Sequence, residues 1–127
     1  MSAAAQWALI TVLEERRKIV AEDVVSRIKT HIGSNPAVLF MKGTPDFPQC
    51  GFSAQAVAAL RSSGANEFHS VNIFEDPELR EALKKFSNWP TYPQLYVNGE
   101  LVGGCDIVLD MQRSGELKKI LSESGAK

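Results

Sequence analysis

The chain has 127 residues, 44% of them hydrophobic and 23% charged, with a formal net charge of -1 at pH 7. That length suits one domain with a core of its own, and the composition is ordinary for a soluble globular protein. The near-neutral balance gives no reason to expect nucleic acid or a membrane as partner, and no apolar run approaches the ~20 residues of a bilayer span.

The first twenty residues carry little pattern. Residues 1–20 read as an N-terminal extension, poorly ordered or loosely helical, and residues 21–127 as a single domain. Glu14 and Glu15 argue against an intact organellar transit peptide, because such peptides are poor in acidic residues. A processed or truncated N-terminus stays open. Arg16-Arg17-Lys18 reads as a solvated face. From Glu22 the apolar residues Val24, Val25, Ile28 and Ile32 recur at helical spacing, with Gly33 as a stop. Asn35-Pro36 breaks the chain, and Ala37-Val38-Leu39-Phe40-Met41 reads as a buried strand. A loop rich in glycine and proline follows over residues 43–51. Ser53 to Ser63 then predicts a helix with Ala54, Val57, Ala58 and Leu60 inward and Gly64 at its end. Phe68 to Phe74 alternates like a strand. Asp76-Pro77-Glu78 has the form of a helix cap, and that helix runs to about Phe86.

Pro90 and Pro93 bracket a rigid turn. Asn98-Gly99, flanked by Leu95-Tyr96-Val97 and Leu101-Val102, is a strong hairpin signal. Helices follow from Asp106 to about Arg113 and from Glu116 to Glu123. A strand–helix–strand unit implies a parallel pair with a right-handed crossover, and the hairpin adds an antiparallel pair. The order therefore predicts an α/β protein with a small mixed four-stranded sheet and helices on both faces.

Two cysteines, Cys50 and Cys105, are too few and too far apart for a disulfide framework. They suit a reducing compartment, where a cysteine either does chemistry or serves as a small buried hydrophobe. Cys50 sits where a loop from a strand enters a helix. Free amides and the helix dipole there favour thiolate, the form that attacks disulfides and binds metal, and Lys42 adds positive charge nearby. Ser53 stands three residues on, where a redox dithiol would carry its second cysteine. A mixed disulfide at Cys50 must then wait for an external thiol or for Cys105. Ser53 is read as a capping group near the helix start.

Met41-Lys42-Gly43-Thr44-Pro45, Cys50-Gly51-Phe52-Ser53, Trp89-Pro90-Thr91-Tyr92-Pro93 and Gly103-Gly104-Cys105-Asp106 resemble the signature segments of monothiol glutaredoxins of the Cys-Gly-Phe-Ser type. The resemblance covers about residues 22–122, in the family's order and spacing, with Tyr92 where the common pattern has Phe. It implies a thioredoxin-like (glutaredoxin) fold and a site for glutathione or a related low-molecular-weight thiol. In that site the resemblance sets the ligand sulfur beside Cys50, Gly51 and Phe52, and the glycine carboxylate near Lys42 and Arg80. Two cations, one of them able to form a forked hydrogen bond, suit one carboxylate. Thr91, Tyr92 and Pro93 resemble a segment whose proline is cis, which would turn the Tyr92 backbone toward the ligand. Gly104, Cys105 and Asp106 would receive the γ-glutamyl end, with Asp106 either near the ligand amine or capping its helix. Trp89 either lines the groove or packs. His31 and His69 lie outside these segments and read as structural or exposed.

The resemblance also implies a [2Fe–2S] cluster held by Cys50. Such a cluster takes four ligands, commonly thiolates. One chain with one glutathione supplies two, so two chains supply four. The leading expectation is a carrier of clusters in iron–sulfur protein biogenesis, homodimeric when cluster-bound and monomeric as the apo form, with iron–sulfur recipient or assembly proteins as partners. The alternative is a glutathione-disulfide oxidoreductase acting on protein–glutathione mixed disulfides through Cys50. A third reading is an adaptor that senses iron through the cluster. The mitochondrial matrix is the expected compartment, with the cytoplasm as alternative.

Overall fold

Five consecutive apolar residues, Ala37–Met41, form strand β1, and all are buried. A strand with no solvated face must lie inside a sheet covered on both sides. In the computed structural model, which describes residues 3–126, that is its place. Around it the chain runs α1 (Ala3–Gly33), β1, α2 (Gly51–Ser62), β2 (His69–Asn72), α3 (Pro77–Ser87), β3 (Gln94–Val97), β4 (Glu100–Gly103), α4 (Cys105–Ser114) and α5 (Glu116–Ser124). The sheet order is β2-β1-β3-β4. β1 pairs parallel with β2, from Val38 opposite His69 to Met41 opposite Asn72. It pairs antiparallel with β3, which pairs antiparallel with β4 through the Asn98-Gly99 turn.

Side chains alternate across a strand, so β1 divides the core in two. Ala37, Leu39 and Met41 pack with Ala56, Val57 and Leu60 of α2, Val108 of α4, and Leu117 and Leu121 of α5. Val38 and Phe40 pack with Val24, Ile28 and Ile32 of α1 and Leu79 and Leu83 of α3. The mixed four-stranded sheet with helices on both faces is thus the thioredoxin-like arrangement that the order of elements predicts.

The details differ from the sequence pattern at three places. α1 is continuous from Ala3, so a helix crosses residue 20, where the pattern puts a boundary. α2 begins at Gly51, directly after Cys50, and turns Ser53, Ala56, Val57, Ala59 and Leu60 inward. Ala54 and Ala58, expected inside, are exposed. Four alanines around one helix leave no contrast in hydropathy from which to read its face. β2 is shorter than the predicted Phe68–Phe74: it ends at Asn72, Ile73 is buried, and Phe74 turns out to solvent at 47% exposure.

α3 is fixed by charge as well as by packing. The Asp76 carboxylate caps it by accepting the Leu79 N–H at 3.2 Å, and Arg27 of α1 pairs with the same carboxylate. Beneath them His31 Nδ1 and His69 Nε2 lie 3.0 Å apart in stacked rings. Burial, foremost, and then the neighbouring His69 and Arg27 hold the His31 pKa below its ordinary value.

Phe40 is fully buried, with its ring edge-on to Tyr96 at 5.6 Å. Phe40→Ala is expected to lower the unfolding free energy by about 3–5 kcal/mol in urea titrations; a loss below ~1 kcal/mol would contradict this packing.

Candidate functional site

The loop between β1 and α2 is closed at both of its ends. Lys42 N–H donates to the Ser53 hydroxyl at 3.1 Å, and Lys42 C=O accepts the Gln49 N–H at 2.9 Å. Inside the loop, Thr44 and Phe47 exchange backbone hydrogen bonds at 3.3 and 3.1 Å. Gly43 has φ +91°, and a Cβ there would lie 2.6 Å from the Phe47 carbonyl oxygen and 2.7 Å from the Gln49 nitrogen. Only glycine fits so tight and left-handed a position.

Cys50 is the residue at which this loop becomes a helix. Its φ of -152° and ψ of 136° are extended, and the Ala54 N–H already bonds to its carbonyl at 3.0 Å. The Ser53 and Phe52 amides at the start of α2 therefore reach its sulfur. The Ser53 amide, foremost, then the Phe52 amide and the Lys42 charge, hold the Cys50 pKa below that of an ordinary thiol. Ser53 does not cap α2: no side chain does. It is fully buried and its hydroxyl serves Lys42 instead, across the loop. The position where a dithiol would hold its second sulfur is thus occupied by a group that the loop needs.

Beside Cys50 lies a cavity of about 510 Å³. Of the sequence-predicted residues, Lys42, Phe52, Arg80 and Thr91 line it, together with Tyr92, Gly104, Cys105 and Asp106. Cys50, Gly51 and Pro93 are not part of the wall, although Cys50 is close enough to Cys105 for their charges to interact. Lys84, Trp89, Pro90 and Ile107 complete the lining. Lys84 follows Arg80 by one helical turn, so the cavity faces three cations, where the resemblance implies two.

The segment that forms the far wall ends at Tyr92, which is joined to Pro93 by a cis peptide bond. The Tyr92 hydroxyl donates to the Arg80 carbonyl at 2.6 Å, joining this wall to α3. Burial pushes the Tyr92 hydroxyl pKa well above its ordinary value, so the group stays a donor. Gln94, which no motif reasoning singles out, is fully buried and donates from Nε2 to the carbonyls of Trp89 (3.0 Å) and Thr91 (3.2 Å). Gln94 is the first residue of β3, where a polar residue is ordinary, so no local signal in the sequence marks it.

Gly104 precedes α4 and has the Trp89 indole against it: a Cβ at Gly104 would sit 3.0 Å from Trp89 Nε1. No side chain caps α4, so Asp106 is not its cap, and its exposed carboxylate is in the helix's first turn. Cys105 is buried, and its thiol donates to Gln55 Oε1 at 3.5 Å. Burial, foremost, then Asp106 and Cys50, push its pKa up. The two sulfurs are therefore tuned in opposite directions.

Comparison with known proteins bears on what such a site belongs to. The glutaredoxin family model matches residues 37–102. Monothiol glutaredoxin-S11 of rice (Oryza sativa subsp. japonica) is 53% identical over 112 residues, which is 88% of this chain; the chain spans 23% of that longer protein. The mitochondrial monothiol glutaredoxin-5 of Saccharomyces cerevisiae is 49% identical over 114 residues, covering 88% of this chain and 76% of the yeast protein. Among solved structures, reduced apo GrxS14 of poplar in solution superposes with a TM-score of 0.69 at 49% identity, over 79% of this chain and 91% of that one.

The opposed shifts predict selective alkylation. A lowered pKa keeps Cys50 as thiolate at lower pH, so its reaction with iodoacetamide should reach half-maximal rate below the pH of an unperturbed thiol. Cys105 should react slowly, with its midpoint displaced upward. Peptide mapping by mass reads both; coincident midpoints would contradict the assignment.

Proposed function

The chain belongs to the glutaredoxin family, among its monothiol members, and we propose that it carries a [2Fe–2S] cluster between iron–sulfur proteins, held by Cys50 and glutathione from each of two copies. The observation that carries this reading is the thiolate-favouring Cys50 at the edge of a cationic cavity, with Ser53 committed to the loop.

The cavity suits glutathione group by group. Lys42 and Arg80 offer charge and a fork to its glycine carboxylate. The start of α4, at Gly104, Cys105 and Asp106, offers free amides to the γ-glutamyl carboxylate and the Asp106 carboxylate to its amine. Thr91, Tyr92 and Pro93 flank the middle of the ligand, while Gly51 and Phe52 flank its sulfur. Two buried donors of the lining, Trp89 Nε1 and Arg80 Nε, have no acceptor within the protein, as expected of a wall made to meet a polar ligand.

The cluster is cargo, and its four thiolate positions exceed what one chain offers. Cys105, with its raised pKa and its bond to Gln55, is a poor ligand. Cys50 and one glutathione fill two positions, and a facing copy fills the other two. Phe47 at 76% exposure and Phe52 at 59% flank Cys50 in the sequence, exposed apolar rings that a facing copy would cover. The yeast relative's name places that protein in mitochondria, and the matrix is the compartment proposed here.

The lowered pKa of Cys50 also favours a second reading, as an oxidoreductase on protein–glutathione mixed disulfides. There the Cys50 thiolate takes the glutathione sulfur and releases the protein thiolate. A second glutathione then attacks and leaves as glutathione disulfide.

Anaerobic reconstitution with iron, sulfide and glutathione separates the two. The carrier reading predicts a visible-absorbing dimer, lost in Cys50→Ser and without glutathione, but retained in Cys105→Ser. A colourless monomer that briskly turns over glutathionylated protein would overturn it in favour of the oxidoreductase.

A further inference from the structure

Arg80 is an unusual cation. None of the ion pairs among the described residues includes it, and its Nε–H is buried without an acceptor. A long charged side chain in that position would ordinarily swing its head out to water. Its backbone is fixed through the Tyr92 hydroxyl, at 2.6 Å from the Arg80 carbonyl oxygen. Its head has a different neighbour: the guanidinium carbon lies 5.6 Å from the centroid of the Phe74 ring, within range of a cation–π contact.

Phe74 has little packing reason to be aromatic, being 47% exposed in the turn between β2 and α3. Its backbone is nevertheless held. Phe74 N–H donates to Asn72 Oδ1 at 3.0 Å, and the same oxygen accepts the Gly43 N–H at 3.0 Å. One side-chain amide thus fixes both the ring beside Arg80 and the loop that presents Lys42.

We infer that Phe74 is a positioning residue: its ring holds the Arg80 guanidinium toward the cavity and so selects thiols that end in a free carboxylate. The inference rests on the glutathione reading above, with Arg80 on the glycine carboxylate. A leucine would fill similar space but would lack the negative ring face that attracts the guanidinium, leaving Arg80 free to turn to solvent. Loss of such a contact at an exposed site should weaken selection by about two- to five-fold.

The test is a competition at Cys50. Reduced protein is equilibrated in a buffer holding glutathione and its glycine monoethyl ester, each with its disulfide, at equal concentrations. The Cys50 thiolate attacks one sulfur of a disulfide, forms the mixed disulfide and releases the other half as thiolate. Mass spectrometry of the Cys50 peptide then gives the ratio of the two adducts, which differ only in the ethyl group that removes the charge of the glycine carboxylate. A ratio cancels any general loss of stability. The wild type should favour the glutathione adduct, Phe74→Leu should reduce that preference about three-fold, and Phe74→Tyr, which keeps a ring, should retain it. If the wild type shows no preference, Arg80 does not read the glycine carboxylate and the inference falls with that reading. If Arg80→Ala loses the preference while Phe74→Leu keeps it in full, or if Phe74→Tyr loses as much as Phe74→Leu, the role of Phe74 alone is overturned.

Discussion

The hydrogen bond from the Lys42 amide to the buried Ser53 hydroxyl is the constraint on which the rest of the site depends. It joins the end of β1 to the first turn of α2, and with the Gln49–Lys42 bond it closes the intervening loop. Closure sets two things at once. It aims the Lys42 side chain at the cavity and leaves Cys50 at the mouth of a helix, where free amides lower its pKa. Without the hydroxyl the partly buried Lys42 N–H would lose its partner, at a cost of about 1 kcal/mol. The same serine therefore removes the resolving thiol and supplies the anchor, which ties the monothiol character of the site to its architecture.

A second set of contacts brings α3 to that loop from the other side of the sheet. Arg27 and Asp76 fix the start of α3, Leu79 and Leu83 bury its inner face, and the Tyr92 hydroxyl fastens it at Arg80. Gln94 holds the carbonyls of Trp89 and Thr91 from within the core. Three of the four segments that line the cavity are thus held by a buried polar side chain: Ser53, Gln94 or Tyr92. Arranged in this way, the site offers cations and unpaired donors on one side and a single activated sulfur at its edge.

The architecture was legible because its signals are strong and local. A fully apolar strand, an Asp-Pro-Glu cap and an Asn-Gly hairpin each specify one element, and their order leaves few topologies. The family resemblance also named, as site residues, eight of those that line the cavity. What was not legible depends on partners distant in sequence. Ser53 reads as a cap from its neighbours alone, yet its partner is eleven positions earlier on another element. Gln94 reads as an ordinary polar residue at a strand start, and only burial shows its two acceptors. The inward face of α2 was misplaced at Ala54 and Ala58 because a run of alanines carries no amphipathic contrast. Lys84 has no local mark separating it from any solvated helix lysine; its membership of the wall follows from the helical turn it shares with Arg80.

On the proposed reading, the chain is half of a binding site: one sulfur from Cys50, one from glutathione, and the exposed rings of Phe47 and Phe52 waiting for a second copy. The most direct test is the native mass of the reconstituted, coloured species, measured without loss of bound small molecules. The account predicts two chains, two glutathiones and one [2Fe–2S] cluster in a single particle. A cluster-bound particle of one chain, or a dimer with no glutathione in it, would contradict the account.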